Sequence, residues 1–259
     1  MSARRHTPDP LTECANPAVG TAIEPWQTVV VESTTSTGSG VRRYGGRDPA
    51  ERLADRLFRM LEAGLELFGT RGFAAVSIAE VCRIAQVSRS AFYDQIGTLE
   101  NLLMAVVSAI DTQAVDRISA ELRASAGGPF AGRAQRALRS YLSVTCADTR
   151  TARLCYVEIV GVSEAVELWR AQRREAFVAL LIRESQAAAA RGEIPDRDYR
   201  YTALAVIGAA NALACEWVTT RGAENGISID RVATELAHVL AASFTVPIEI
   251  AQAQRPFGA

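Results

Sequence analysis

Apolar residues recur at three- and four-residue spacing through most of residues 49–245, and that period predicts helices. Leu53, Leu57, Leu61, Leu65 and Phe68 form one such face, on a helix opened by Asp48-Pro49 and closed at Gly72, with Phe73 as its apolar follower. A short helix over 77–85 follows. It starts with Ser77-Ile-Ala-Glu80, in which hydroxyl and carboxylate each accept from a helix-end N–H. Ala85-Gln86-Val87-Ser88 makes a turn, and Ser88 caps a third helix over 89–96. Val81, Ala85, Val87 and Phe92 close a miniature core. Thr98 starts a fourth helix that runs to about Leu122. The small-residue loop from Ala124 to Pro129 is the best internal break. Beyond it, helices are expected near 130–146, 149–160, 163–191, 197–220 and 229–245, with no convincing strand. The expected fold class is all-α.

Residues 1–46 interrupt this pattern. Pro8, Pro10, Pro17 and Pro25 punctuate them, and the run STTSTGSG over 33–40 reads as a polar linker, so a disordered N-terminal extension is expected. One apolar run, from Trp26 to Val31, could pair as a strand or dock on the body. The three closely spaced helices over 47–97 read as a helix-turn-helix domain, whose recognition helix is built for a DNA major groove. Residues 98–248 form a larger helical body, and 249–259 a frayed tail.

Composition changes this picture little. The formal net charge is −1, and all 28 basic residues are arginine. A small basic reading head on an acidic body would average to such a value. Five cysteines (Cys14, Cys82, Cys146, Cys155 and Cys215) stand at wide, irregular spacing with only two histidines, which argues against zinc and disulfide frameworks and for a reducing cytoplasm. No signal peptide is read in residues 1–30. The longest apolar stretch, from Ala203 to Cys215, is shorter than a membrane span, so a soluble protein with no membrane partner is expected.

Ala63, Leu67-Phe68, Gly72-Phe73, Ser77-Ile78, Ala85-x-Val87-Ser88, Phe92-Tyr93 and Leu102-Leu103 fall in the order and spacing of a known family. On these some 45 residues the chain resembles the TetR-family transcriptional regulators; the body resembles them only in layout. ARGEIPDRD, from Ala190 to Asp198, is similar to the entry into that family's dimer-forming helices. Three positions depart from the family pattern. Gln86 replaces the turn glycine, Ile96 an aromatic residue, and Leu99 a lysine that touches a phosphate. The last change removes roughly one phosphate contact, or about 0.9 of the log–log salt slope.

The resemblance implies that residues 89–96 enter the major groove. Arg89 would read guanine with two donated bonds. Ser90 and Gln95 would read base edges, and Asp94 would accept from cytosine. Tyr93 would touch a phosphate through its hydroxyl; its alternative reading is a core aromatic. Ser77 and Thr98, at helix N-termini, would hold a phosphate and so position the protein, and Ser88, the cap of the third helix, is counted with the DNA-binding residues. Arg42, Arg43 and Arg47 would reach the minor groove as an arm, or belong to an inert tail. In the body, the resemblance implies an effector pocket, with Tyr141, Cys155, Tyr156, Glu158, Trp169 and Phe177 as candidates against a plain core role. A twofold dimer is implied to match a palindromic operator, joined through the last two helices at Leu204, Ile207, Gly208, Val218, Leu236, Val239, Leu240 and Phe244.

The expected function is a repressor released by a small hydrophobic or aromatic effector, with no cofactor. An enzyme would need a nucleophile–base pair or a metal set, and the sequence offers neither: His6 lies in the extension and His238 stands alone. The remaining alternative is a ligand-sensing or protein-binding homologue whose DNA head is weakened by Leu99 and Gln86.

Overall fold

Short polar side chains set where the helices begin. The computed structural model describes residues 48–222 and 224–245, and the described residues contain helices and no strand. Helix α1 spans Pro49–Arg71, α2 Ile78–Ala85, α3 Arg89–Gln95, α4 Leu99–Ala124 and α5 Phe130–Thr145. Helix α6, Thr149–Arg153, continues as a π-helical turn over Leu154–Glu158. Then follow α7 Glu164–Ala190, α8 Arg200–Thr219 and α9 Ile229–Thr245. Asp48, Ser77, Ser88, Thr98, Asp148 and Ser163 each accept a backbone N–H of the first helical turn, at 2.9–3.3 Å. Each such cap is worth about 1 kcal/mol.

The buried face of α1 differs from the expected row. Leu57, Met60, Ala63, Gly64, Leu67 and Phe68 are buried, Leu61 and Leu65 half-buried, and Leu53 is 37% exposed. A row of every fourth residue drifts about 40° around the helix at each step. The stripe facing α2 and α4 therefore alternates threes and fours. Gly72 closes α1 at φ +86°, and the Phe73 ring packs on Phe68 at 5.4 Å between centroids.

Helix α4 joins head to body. Its first turns bury Leu102, Leu103, Val106 and Val107 in the head core, and Ala114 and Ile118 farther along lie in the body. Phe68 and Phe92 of the head share one continuous hydrophobic core with Leu142, Leu154, Trp217 and Leu236 of the body. A second, smaller cluster surrounds Phe244, whose ring stacks on Tyr199 at 5.0 Å and tilts against Phe130 at 5.2 Å.

Helix α8 is apolar enough, over its 20 residues, to meet a membrane-spanning criterion by length and composition. The sequence reading counted only Ala203 to Cys215; the helix also takes in Trp217 and Val218. One side of it packs into the subunit through Ala203, Val206, Ala210, Ala214 and Trp217. Ala205, Gly208 and Ala212 face outward.

Candidate DNA-reading interface and body cavity

The turn between α2 and α3 adopts a backbone that usually calls for glycine. Gln86 sits in the left-handed region at φ 54°, ψ 47°, with its N–H bonded to Cys82 O. Such a conformation costs a non-glycine residue about 1–2 kcal/mol. Arg59 of α1 offsets part of that cost: its Nη1 donates to Ala85 O at 2.8 Å and to Gln86 O at 3.2 Å. The reading helix is thus pinned to α1 by a guanidinium that the sequence reading did not single out. No pattern in the sequence marks Arg59, because the partner is backbone.

On α3 only Phe92 is fully buried. Arg89, Ser90, Tyr93 and Asp94 are exposed, as base or phosphate contacts require. The Tyr93 ring, 56% exposed, meets Phe92 edge-on at 6.0 Å and leaves its hydroxyl outside. Ser90 Oγ donates to Asp94 at 3.3 Å, so these two are partly engaged with each other. Gln95 departs from expectation: both polar atoms of its amide are buried and without a partner, so it is turned away from the exposed face of α3. Ser77 Oγ accepts from the Glu80 N–H at 3.3 Å, and its hydroxyl lies 2.9 Å from a carboxylate oxygen of Glu80. Its hydroxyl is already spent, leaving helix N–H groups for a phosphate. Ser88 and Thr98 are exposed caps. Leu99 packs against the head core, replacing a surface cation by apolar contact.

The head is not basic. Over residues 48–98, six arginines face seven carboxylates, so the expected basic head is absent from this stretch. Arg42, Arg43 and Arg47 lie outside the described residues.

One carboxylate links head and body directly. Glu158 Oε2 accepts the Phe73 N–H at 2.8 Å, and its Oε1 accepts Arg153 Nε at 2.8 Å. A Cβ at Gly72 would stand 3.0 Å from that carboxylate. Arg150 pairs with Glu66 of α1, and Gly69 lets α1 approach the Arg150 backbone. Glu158 was expected to line a pocket; it is a junction residue instead, because the π-helical turn rotates it toward α1.

The body contains a cavity of about 350 Å³. Ile118 and Leu122 of α4, Phe130, Leu138 and Tyr141 of α5, and Phe177 and Leu181 of α7 form much of its wall. Of the six expected pocket residues, Tyr141 and Phe177 line it, with their rings 5.4 Å apart. Cys155 and Tyr156 do not: both are buried behind the wall, and burial raises both their pKa values. Trp169 packs on the main core. The Tyr156 hydroxyl bonds Thr145 Oγ1 at 2.7 Å, and burial pushes the Tyr141 phenol up to about 12. These phenols stay neutral in any ordinary buffer.

Four expected interface residues are not free. Val218, Leu236, Leu240 and Phe244 are buried within their own subunit. Leu240 and Phe244, together with Ile207, line the cavity, because α8 and α9 close its far side as well as presenting an outer face. Leu204 is half-buried; Gly208 and Val239 are exposed.

The geometry defines an all-α protein with a helix-turn-helix head on a hollow helical body. Residues 60–106 match the family model described as bacterial regulatory proteins, tetR family, so the likeness to that family falls on the head. Solved structures share the whole architecture. The fatty acid degradation regulator FadR from Bacillus halodurans aligns with a TM-score of 0.64 at 13% identity, over 76% of this chain and 96% of that one. A putative TetR-family transcriptional regulator from Rhodococcus sp. gives 0.61 at 20% identity, over 74% and 100%. A transcriptional regulator FadR from Bacillus subtilis, solved in complex with stearoyl-CoA, gives 0.62 at 12%, over 72% and 98%. No curated protein matches the chain.

Proposed function

We propose that this protein is a cytoplasmic, homodimeric, sequence-specific transcriptional repressor whose grip on DNA is loosened when a small apolar molecule fills the body cavity. The single observation that carries this reading is the outward face of α3, with Arg89 and Tyr93 exposed on a helix fixed by Phe92, Arg59 and the Ser88 cap. A binding pair for a palindrome needs two such helices about 34–36 Å apart. The exposed stripe Ala205, Gly208 and Ala212 on α8, with Leu204 and with Val239 on α9, supports close pairing of two subunits there.

A route for release runs from the cavity to the head. Tyr141 forms cavity wall, Thr145 Oγ1 bridges the Tyr141 carbonyl and the Tyr156 hydroxyl of the π-helical turn, and Glu158 at the end of that turn holds Phe73. Ligand shifts the equilibrium only if it binds one spacing of the heads better than the other. The stearoyl-CoA held by the Bacillus subtilis neighbour fits the idea of a ligand-filled body, but a cavity of about 350 Å³ suits a smaller molecule here. A gel-shift titration against DNA from upstream of the protein's own coding region tests the reading. A discrete, salt-sensitive complex supports it. Absence of any complex at every salt concentration favours a sensor with a lapsed head, the alternative that Leu99 and the near-neutral head charge recommend.

A further inference from the structure

Arg133 is the one buried cation on the cavity wall whose donors are not all used. It stands on α5 between Phe130 and Ala134, its side chain only 5% exposed. Its Nη1 donates to Gly128 O and lies 3.0 Å from Glu193 Oε2. Its Nη2 is buried and has no partner. Leaving a charged donor dry and unpaired is costly, and natural proteins seldom do so without a reason.

The local charge is also unbalanced. Glu193 serves two guanidiniums, Arg133 and Arg191, which leaves that corner one positive charge in excess. Of the other arginines on the wall, Arg174 is exposed to solvent, and the remaining two are paired. Arg170 donates to both oxygens of Glu167, at 2.7 and 2.6 Å, and Arg173 forks onto both oxygens of Asp111. Glu184, also on the wall, is part-exposed and makes no hydrogen bond to Nη2. Around Arg133 the wall is apolar: Phe130, Leu138, Leu181, Leu240 and Phe244.

We propose that the cavity binds an amphipathic carboxylic acid, with the carboxylate on Arg133 Nη2 and the apolar remainder among the Phe130, Phe244 and Leu138 side chains. This rests on the reading of the cavity as the effector site. The size follows from the volume: at about 30 Å³ per water-sized group, the space holds roughly a dozen non-hydrogen atoms.

Two matched pairs of probes have that size, decanoate with 1-decanol and 4-phenylbutyrate with 4-phenyl-1-butanol. Each is titrated calorimetrically into the full-length protein without DNA, so the result is independent of whether the head binds an operator. In at least one pair the acid is expected to bind about tenfold or more tighter than the alcohol, the worth of a hydrogen bond to a charged group. Arg133→Met is expected to erase that preference while leaving the alcohol's affinity unchanged, and Glu184→Gln to strengthen it. Alcohols binding as well as acids, no binding in either pair, or a preference that survives Arg133→Met would each overturn the proposal. The wild-type comparison decides the matter even if Arg133→Met fails to fold. A gel shift on the same protein separates this outcome from failure of the regulator reading.

Discussion

Two residues carry opposite burdens at the reading turn. Gln86 holds a left-handed backbone that its side chain disfavours, and Arg59 clamps the carbonyls on either side of it. Gln86→Gly is therefore expected to stabilise the protein by about 0.5–1 kcal/mol, once the added freedom of the unfolded chain is counted. Urea denaturation checks this, and a loss of stability would mean that the Gln86 side chain contributes something beyond its turn. Arg89 is the exposed cation of α3, with Asp94 its only charged neighbour on that helix. Arg89→Ala should cost about 1–3 kcal/mol at one base position and leave other positions unchanged. A uniform loss across all sequences would instead mark it as a phosphate contact.

At the scale of elements, the proposed release route passes through the junction between α1 and the π-helical turn. Removing the acceptor in Glu158→Ala leaves the Phe73 N–H and Arg153 short of a partner, and should lower unfolding free energy by about 1–3 kcal/mol. The same variant should weaken the effect of ligand on DNA affinity while sparing ligand affinity, which calorimetry beside anisotropy would separate. The start of α2 answers to pH. Arg71, then the Ser77 hydroxyl and backbone N–H, hold Glu80 down to about 2 from 4.5. A depressed carboxylate contributes stability above its unfolded pKa and loses it as pH falls toward the folded value, so this contribution fades between about 4.5 and 2. Glu80→Gln should flatten the acid limb of the stability curve over that window. The limits of the head helices were legible because Asp48, Ser77, Ser88 and Thr98 announce them locally. The π-helical turn was not, since its extra residue per turn leaves no mark on apolar spacing; Glu158 was misplaced for that reason. Cavity and core residues also read alike, as Cys155 against Phe177 shows, because each sits on an apolar helix face.

For the whole molecule, pairing was legible only in outline. The small residues of α8 announced a close approach, but α8 and α9 each have two faces, and the bulky residues Ile207, Leu240 and Phe244 point into the subunit's own cavity. Gly208 offers a clean test, since nothing stands within 4 Å of a side chain added there. Gly208→Arg should leave the subunit folded and shift sedimentation from dimer to monomer; an unchanged dimer would move the interface elsewhere. The head's near-neutral charge means that specific contacts, rather than bulk attraction, must carry much of the affinity. The most direct measurement of the central claim is selection of bound DNA from a random pool, by wild type and Arg89→Ala in parallel. The account predicts a palindromic motif with half-sites one helical turn apart, about 10 base pairs centre to centre, and one relaxed position per half-site in the variant. A pool that wild type leaves unenriched would contradict it.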